Sequence, residues 1–286
     1  MGGAVLAVTA ASAEMSDVMR LSVSAILVTA IYFAAPVEAQ WLKNTSPDVP
    51  RTKDGRVDLS APAPKTASGG IDLSGIWQAE VDPQGVAGGV ENEPAPRYFV
   101  DITQDLKPEQ VTLRPEAAKT FQERLRNEGR SSPVAHCVPV GVPAINTFPF
   151  PFKLIQMPRL IVILYEQDTT FRQIFMDGRP LPSDPNPSFM GYSVGRWQGD
   201  TLVVESVGFK NGGWLDRLGH PHSGQLRLIE RYRRSDFGHL SIEMTINDPD
   251  TYEKPFTYTQ PTVFLPDTDL LEYYCTENER DAQYFK

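Results

Sequence analysis

Beyond Pro158 the apolar and polar positions fall into short blocks, each closed by a turn signal. Residues 160–165 (LIVILY) form a continuous apolar run, and residues 170–176 follow after Glu166-Gln167-Asp168-Thr169. Blocks 193–197 and 202–207 flank Gln198-Gly199-Asp200, a hairpin signal. Block 225–234 turns at Ser235-Asp236-Phe237-Gly238 into 240–247, where Leu240, Ile242, Met244 and Ile246 alternate with Ser241, Glu243 and Thr245. That period of two places one apolar face on a core and one polar face in water. Blocks 256–264 and 270–275 close the series around Pro266-Asp267. Short strands joined by tight turns, with no helices between them, predict an antiparallel sheet rather than βαβ units.

Upstream the periods change. Residues 115–127 read as a helix: Pro115 suits its first position, Ala118, Phe121 and Leu125 share a face, and Gly129 offers a C-terminal cap. Residues 136–158 are too rich in Pro and aromatics to stay regular for long. Residues 40–70 are polar, Pro-rich and aperiodic, and predict a linker or a strap over the surface. Within them Val57-Asp58-Leu59-Ser60 recurs fourteen residues later as Ile71-Asp72-Leu73-Ser74. The second copy runs into Gly75-Ile76-Trp77, the start of a further strand. About nine strands are then available, enough to close a barrel. The expected fold is mainly β: an antiparallel up-and-down, lipocalin-like barrel over residues 71–286, with one helix and a Pro-rich segment packed at one end.

The first 39 residues carry an address. Met19-Arg20 precedes an apolar run, 21–36, which ends in Val37-Glu38-Ala39 before Gln40. A basic start, an apolar middle and small residues at the −3 and −1 positions predict a secretory signal peptide, residues 1–39. The run is short for a bilayer span and ends in Pro36 and Glu38, so no stable membrane insertion is expected after cleavage. The expected location is periplasmic or secreted. The whole chain has 27 Lys and Arg against 36 Asp and Glu, a formal charge of −9. That balance argues against nucleic acid as a partner. Cys137 and Cys275 form an even pair, bridged in an oxidising compartment, with two buried free thiols as the alternative.

Gly75-x-Trp77 at the head of an up-and-down β run resembles the opening of lipocalin-like (calycin) barrels. Between Cys137 and Cys275 stand Phe171-Arg172-Gln173-Ile174-Phe175, Asp177-Gly178-Arg179, Gly191-Tyr192-Ser193-Val194-Gly195-Arg196-Trp197 and Gly199-Asp200-Thr201-Leu202-Val203-Val204-Glu205. Trp214-Leu215-Asp216, Gly219-His220-Pro221-His222-Ser223 and Glu230-Arg231 complete the set. This half of the chain resembles a large family of exported bacterial proteins whose function is uncharacterised. The resemblance implies a compact secreted β protein and hands over no reaction.

Candidate chemistry follows from the residues themselves. Gly191-Tyr192-Ser193-Val194-Gly195 matches G-x-S-x-G, the nucleophile elbow of serine hydrolases, which needs a strand turning into a helix. Here a strand and hairpin follow, so Ser193 is expected to be a strand residue. His220-Pro221-His222 is the densest cluster in a chain of four His, on a rim loop that also holds Asp216 and is folded back by Trp214. Such a cluster suits general acid–base work, while a metal would need at least one more ligand than the two His. Glu230 shares a period-two face with Leu226 and Leu228 and is expected to point into the barrel. Glu205 shares a face with Val203 and Val207 and invites the same expectation. Arg172 and Arg196 are the available partners, and Tyr192 could join them at a ligand cavity. Asp177-Gly178-Arg179 reads as a turn, with Arg179 a secondary anchor for an anion.

The expected function is acid–base transformation of a small, largely apolar organic substrate by a hydrolase, lyase or isomerase. Asp216, His220, His222 and Glu230 would be catalytic, and Arg172, Tyr192, Arg196, Glu205 and Trp214 would bind substrate. The alternatives are a lipocalin-like carrier without turnover and a serine hydrolase using Ser193. No nucleotide or redox cofactor is expected, because no G-x-G-x-x-G or Walker pattern follows a strand.

Overall fold

The computed structural model describes residues 46–82 and 94–275. The expected signal peptide, residues 1–39, lies outside the described residues. Nine strands form a closed barrel: β1 (Gly75–Ala79), β2 (Phe152–Met157), β3 (Leu160–Tyr165), β4 (Thr170–Phe175), β5 (Tyr192–Gln198), β6 (Thr201–Val207), β7 (Arg227–Arg234), β8 (His239–Asn247) and β9 (Phe256–Phe264). Each strand pairs with its chain neighbours, and β9 returns to β1 with Trp77 opposite Phe264.

Nine is odd, and an alternating up-and-down ring closes antiparallel throughout only with an even count. One pair must therefore run parallel. It is β4–β5, where only Ile174 meets Ser193 and Phe175 meets Val194. Residues 176–191 make the crossover, with Pro180, Pro182, Pro185 and Pro187 keeping it from adding a strand of its own. The expectation of a wholly antiparallel barrel is corrected at this seam.

A second correction concerns which segment supplies the ninth strand. Residues 270–275 form no strand; Leu271 and Tyr274 are exposed, and Leu271 N–H donates to Glu166. The strand comes instead from Phe152–Met157, between Pro151 and Pro158. Proline is tolerated just outside a strand, and the alternation of Phe152 and Leu154 inward with Lys153 and Ile155 outward fits β pairing on both sides.

The inward positions are filled. Trp77, Leu154, Ile163, Leu228, Ile242 and Met244 are among the fully buried side chains of the core. Trp77 closes one end: its indole N–H donates to Leu73 O at 3.0 Å, and the Arg234 guanidinium lies 4.7 Å from its ring. Burial lowers the Arg234 pKa to about 10. Gly75 is required there, since a Cβ would lie 2.2 Å from the Phe264 ring.

At this same end the Pro-rich strap from Ser46 onward packs on the barrel. Two tandem turns repeat their hydrogen bonds fourteen residues apart: Thr52 N to Arg56 O and Asp58 N to Pro50 O, then Thr66 N to Gly70 O and Asp72 N to Pro64 O. The Val57–Ser60 and Ile71–Ser74 repeat in sequence is therefore a repeat in structure. Gly238 N and Phe237 N donate to Leu59 O and Ala61 O, tying the strap to the β7–β8 turn.

The opposite end carries helix α1 (Pro115–Arg126), the Pro-rich segment and the 208–226 loop. The helix begins at Pro115 as expected, but its packed side, only half-buried, runs through Phe121 and Arg124 while Leu125 is exposed. Cys137 and Cys275 are bridged, with Cα atoms 5.4 Å apart. Among the described residues no helix is long and apolar enough to cross a membrane.

Candidate functional site

The loop between β6 and β7 is not a plain hairpin. Gly213–Trp214 pairs with Pro221–His222, and the chain between them folds into a tip that carries Asp216 and His220. Asp216 organises that tip: Oδ1 accepts from Gly219 N at 2.9 Å and His220 N at 3.1 Å. Its Oδ2 accepts from Ile102 N at 3.0 Å and pairs with His220 Nδ1 at 2.6 Å. The carboxylate thus bridges the loop and the segment around Ile102.

The His220 ring is buried, stacked on Phe121 of α1 with centroids 4.2 Å apart. Burial opposes its positive charge, but the Asp216 hydrogen bond and the charges of Asp216 and Asp101 outweigh that, and its pKa is raised. Asp216 fixes the proton on Nδ1, which leaves Nε2 to exchange with a ligand. Among the described residues Nε2 has no hydrogen-bond partner.

Asp101, Asp216 and His220 place donor atoms within 4.8 Å of one another, the spacing of a cation site. The four acceptor positions of Asp216 are already taken by N–H groups, so a cation would have to displace the His220 proton. A hydrogen-bonded acid–imidazole pair fits these atoms better than a metal.

His222 sits differently. Its Nδ1 donates to Ser223 O at 3.0 Å, its ring meets Phe209 edge-on, and burial lowers its pKa. Its Nε2 packs on Gly213, where a Cβ would come within 1.9 Å. No carboxylate hydrogen-bonds its ring among the described residues, so it is a neutral packing element of the same loop. Arg124 of α1 locks that loop by donating to Gly212 O, Gly213 O and Gly219 O at 2.8–3.1 Å and by lying over Trp214. Phe121, Arg124 and Asp101 complete this cluster, and no motif announced the last two. The signal for Arg124 was its spacing of three from Phe121 on the helix.

Glu230 lies inside the barrel, fully buried on the same face as Leu228 and Tyr232. Arg172 Nη1 donates to its Oε1 at 2.9 Å, and Arg172 Nη2 pairs with its Oε2. Tyr232 and Asn146 donate to Oε1 at 2.9 and 3.1 Å, while Arg172 reaches Ser193 and Ser206 at 3.1 and 2.9 Å. The network neutralises and hydrogen-bonds a pair that would otherwise be very costly to bury. Ser193, fully buried on β5, has Ser206 and Arg172 as its partners and, among the described residues, no His. It lies on a strand rather than at a strand-to-helix elbow.

The expectation that Glu205 points inward is corrected. Leu202, Val204 and Ser206 take the inner positions of β6, and Glu205 stands outside with Arg196, 2.6 Å away, and Arg227. Val203 is buried on the outer face, and that apolar neighbour made the wrong face look like the core. Tyr192 is also outside, tilted against Phe175, with its hydroxyl accepting from Arg179 at 3.2 Å. It borders an open cleft of about 430 Å³ along the β4–β5 seam.

No family profile matches the chain, and neither a curated protein nor a solved structure does.

Proposed function

We propose that this protein is an exported barrel enzyme that transforms a small, largely apolar organic molecule by proton transfer at the Asp216–His220 pair. The observation that carries the reading is the 2.6 Å Asp216–His220 contact, with the carboxylate fixed by three backbone N–H groups and Nε2 unengaged among the described residues. A carboxylate on Nδ1 sets the tautomer and supports the imidazolium, which equips Nε2 to give a proton to a leaving oxygen or nitrogen. Hydrolysis, elimination and isomerisation all draw on that step. Asp101, partly exposed at 4.0 Å from Nδ1, adds negative potential beside the ring.

Replacing His220 by Gln, or Asp216 by Asn, is expected to lower turnover by about 10²–10⁴. The assay is a panel of small esters, ethers, lactones and cyclic alcohols, with melting temperature as the fold control. Wild-type turnover in both variants would remove the pair from the reaction and make Glu230 the next residue to test.

A second reading, a carrier without turnover, is favoured by the outer cleft at Tyr192, which none of the three rim residues lines. It predicts that bound ligands are recovered unchanged. Export rests on the sequence pattern of residues 1–39, on the resemblance to an exported bacterial family and on the compatibility of the disulfide with an oxidising compartment. A mature N-terminus at or near Gln40 is expected by mass spectrometry, and retention of Met1 or Met19 would refute it.

A further inference from the structure

Where β4 and β5 run parallel, only two residue pairs join them, and the strands diverge toward the start of each. The cause is in the crossover. Ser188 N–H donates to Gly208 O and Lys210 N–H to Ser188 O, so Ser188 bridges to Phe209 rather than to β4. Gly191 permits the divergence: it has φ of 63°, and a Cβ would lie 2.7 Å from the Phe209 ring. Thr170–Gln173 therefore form one wall of a cleft and residues 188–193 the other.

The walls are aromatic and uncharged at their surface. Phe171, Phe175, Phe189, Met190 and Tyr192 line the cleft, and Phe171 is 58% exposed, a large apolar area to leave in water. Among the described residues no Asp or Glu lines this cleft. Cations flank it instead. Lys210 Nζ stands 4.1 Å from the Phe189 ring centroid, with no carboxylate partner among the described residues. Arg179 lies 3.9 Å from the Phe175 ring centroid, its charge shared with Asp177. Of the wall's other polar side chains, Ser188 Oγ donates to Gly191 O, Ser193 and Arg172 face the buried network, and Gln173 is exposed. Tyr192, whose oxygen accepts from Arg179, still has its proton to donate.

We propose that this cleft binds a small planar aromatic carboxylate, with its ring system between the aromatic walls and its carboxylate toward Lys210 and the Tyr192 hydroxyl. A volume of about 430 Å³ suits a bicyclic acid. The assignment is independent of proton transfer at Asp216 and His220, which lie on another loop.

The test is titration of the full chain with 2-naphthoate and with its neutral isostere 2-naphthamide, followed by calorimetry or ligand-observed NMR. Saturable naphthoate binding is expected at about 0.1–1 mM, the range for a ligand of this size. The carboxylate should bind about two- to fivefold tighter than the amide, the scale of an exposed ion pair. K210Q, at an exposed position, should abolish that preference, and F171A should weaken both ligands about five- to tenfold. Neither change removes a buried group, and an unaltered melting temperature is expected. Absence of saturable binding, or F171A binding both ligands as tightly as the wild type, overturns the site. A preference for naphthoate that survives in K210Q overturns the carboxylate assignment.

Discussion

Two histidines two positions apart respond to their surroundings in opposite directions. The His220 pKa is raised through Asp216 and Asp101 against the pull of burial, and the His222 pKa is lowered by burial. For His220 the folded state holds the proton more tightly. Its stabilisation is complete below the ordinary value of 6.5 and fades as pH rises through the higher folded value. For His222 the folded state prefers the neutral ring, so its contribution is present above 6.5 and is lost as pH falls through the lowered value. Melting curves from pH 5 to 9 should show D216N losing the alkaline decline and H222N losing the acid one. Identical pH profiles for wild type and both variants would contradict this account. Inside the barrel the sensitive point is the Arg172–Glu230 ion pair. E230Q leaves Arg172 charged with a neutral partner, and the expected cost is up to about 3–5 kcal/mol. The double variant R172M/E230L should fall well short of the sum of its single changes, because each single change leaves a lone buried charge and the double variant leaves none. Denaturant unfolding reads both.

At the level of elements, the loop that carries Asp216 is held by a helix that contributes no fully buried residue of its own. Phe121 and Arg124 act on it from one face, so helix and loop are expected to loosen together. R124A is expected to raise hydrogen exchange at Gly213 and Gly219 with little effect on β8. The disulfide is the other tie. It links residues 138 apart and binds the segment after β9 to the Pro-rich segment, and in the chain-entropy account such a closure contributes about 5 kcal/mol, against about 2–4 kcal/mol for a typical disulfide. Reduction should lower the melting temperature, and two titratable thiols in the unreduced, denatured protein would rule the bridge out. Much of this was legible from pattern: the alternation at Leu240, Ile242, Met244 and Ile246 named β8, and Pro115 named the helix start. β2 was not legible because Pro151 and Pro158 sit against its ends, and local punctuation there masked a strand that both neighbours require.

For the whole molecule the odd strand count is the governing constraint. It forces one parallel pair, and the short β4–β5 register is the weak point of the wall. Amides of Thr170–Gln173 should exchange with solvent ahead of Ile242 and Met244, which are paired on both sides by β7 and β9. Equal protection at the two places would mean that the seam is closed in solution. The parity argument also locates the cleft, since the crossover must travel the barrel's length outside the wall and anchors beside Phe209 rather than on β4.

Period-two patterning, turn residues and the two cysteines were enough to establish a β barrel with a helix and a Pro-rich segment at one end. These are local properties, written into neighbouring residues by backbone geometry and the drive to bury apolar side chains. The inward position of Glu230 belongs with them, because its face was marked by Leu226 and Leu228. The outward position of Glu205 does not: Val203 beside it is apolar because other side chains cover the barrel's outer wall there. Asp101 and Arg124 join His220 and Trp214 across about a hundred residues of sequence, and the β4–β5 cleft exists only once the ring closes. Contacts of that separation depend on how the elements pack against one another, which no local pattern encodes.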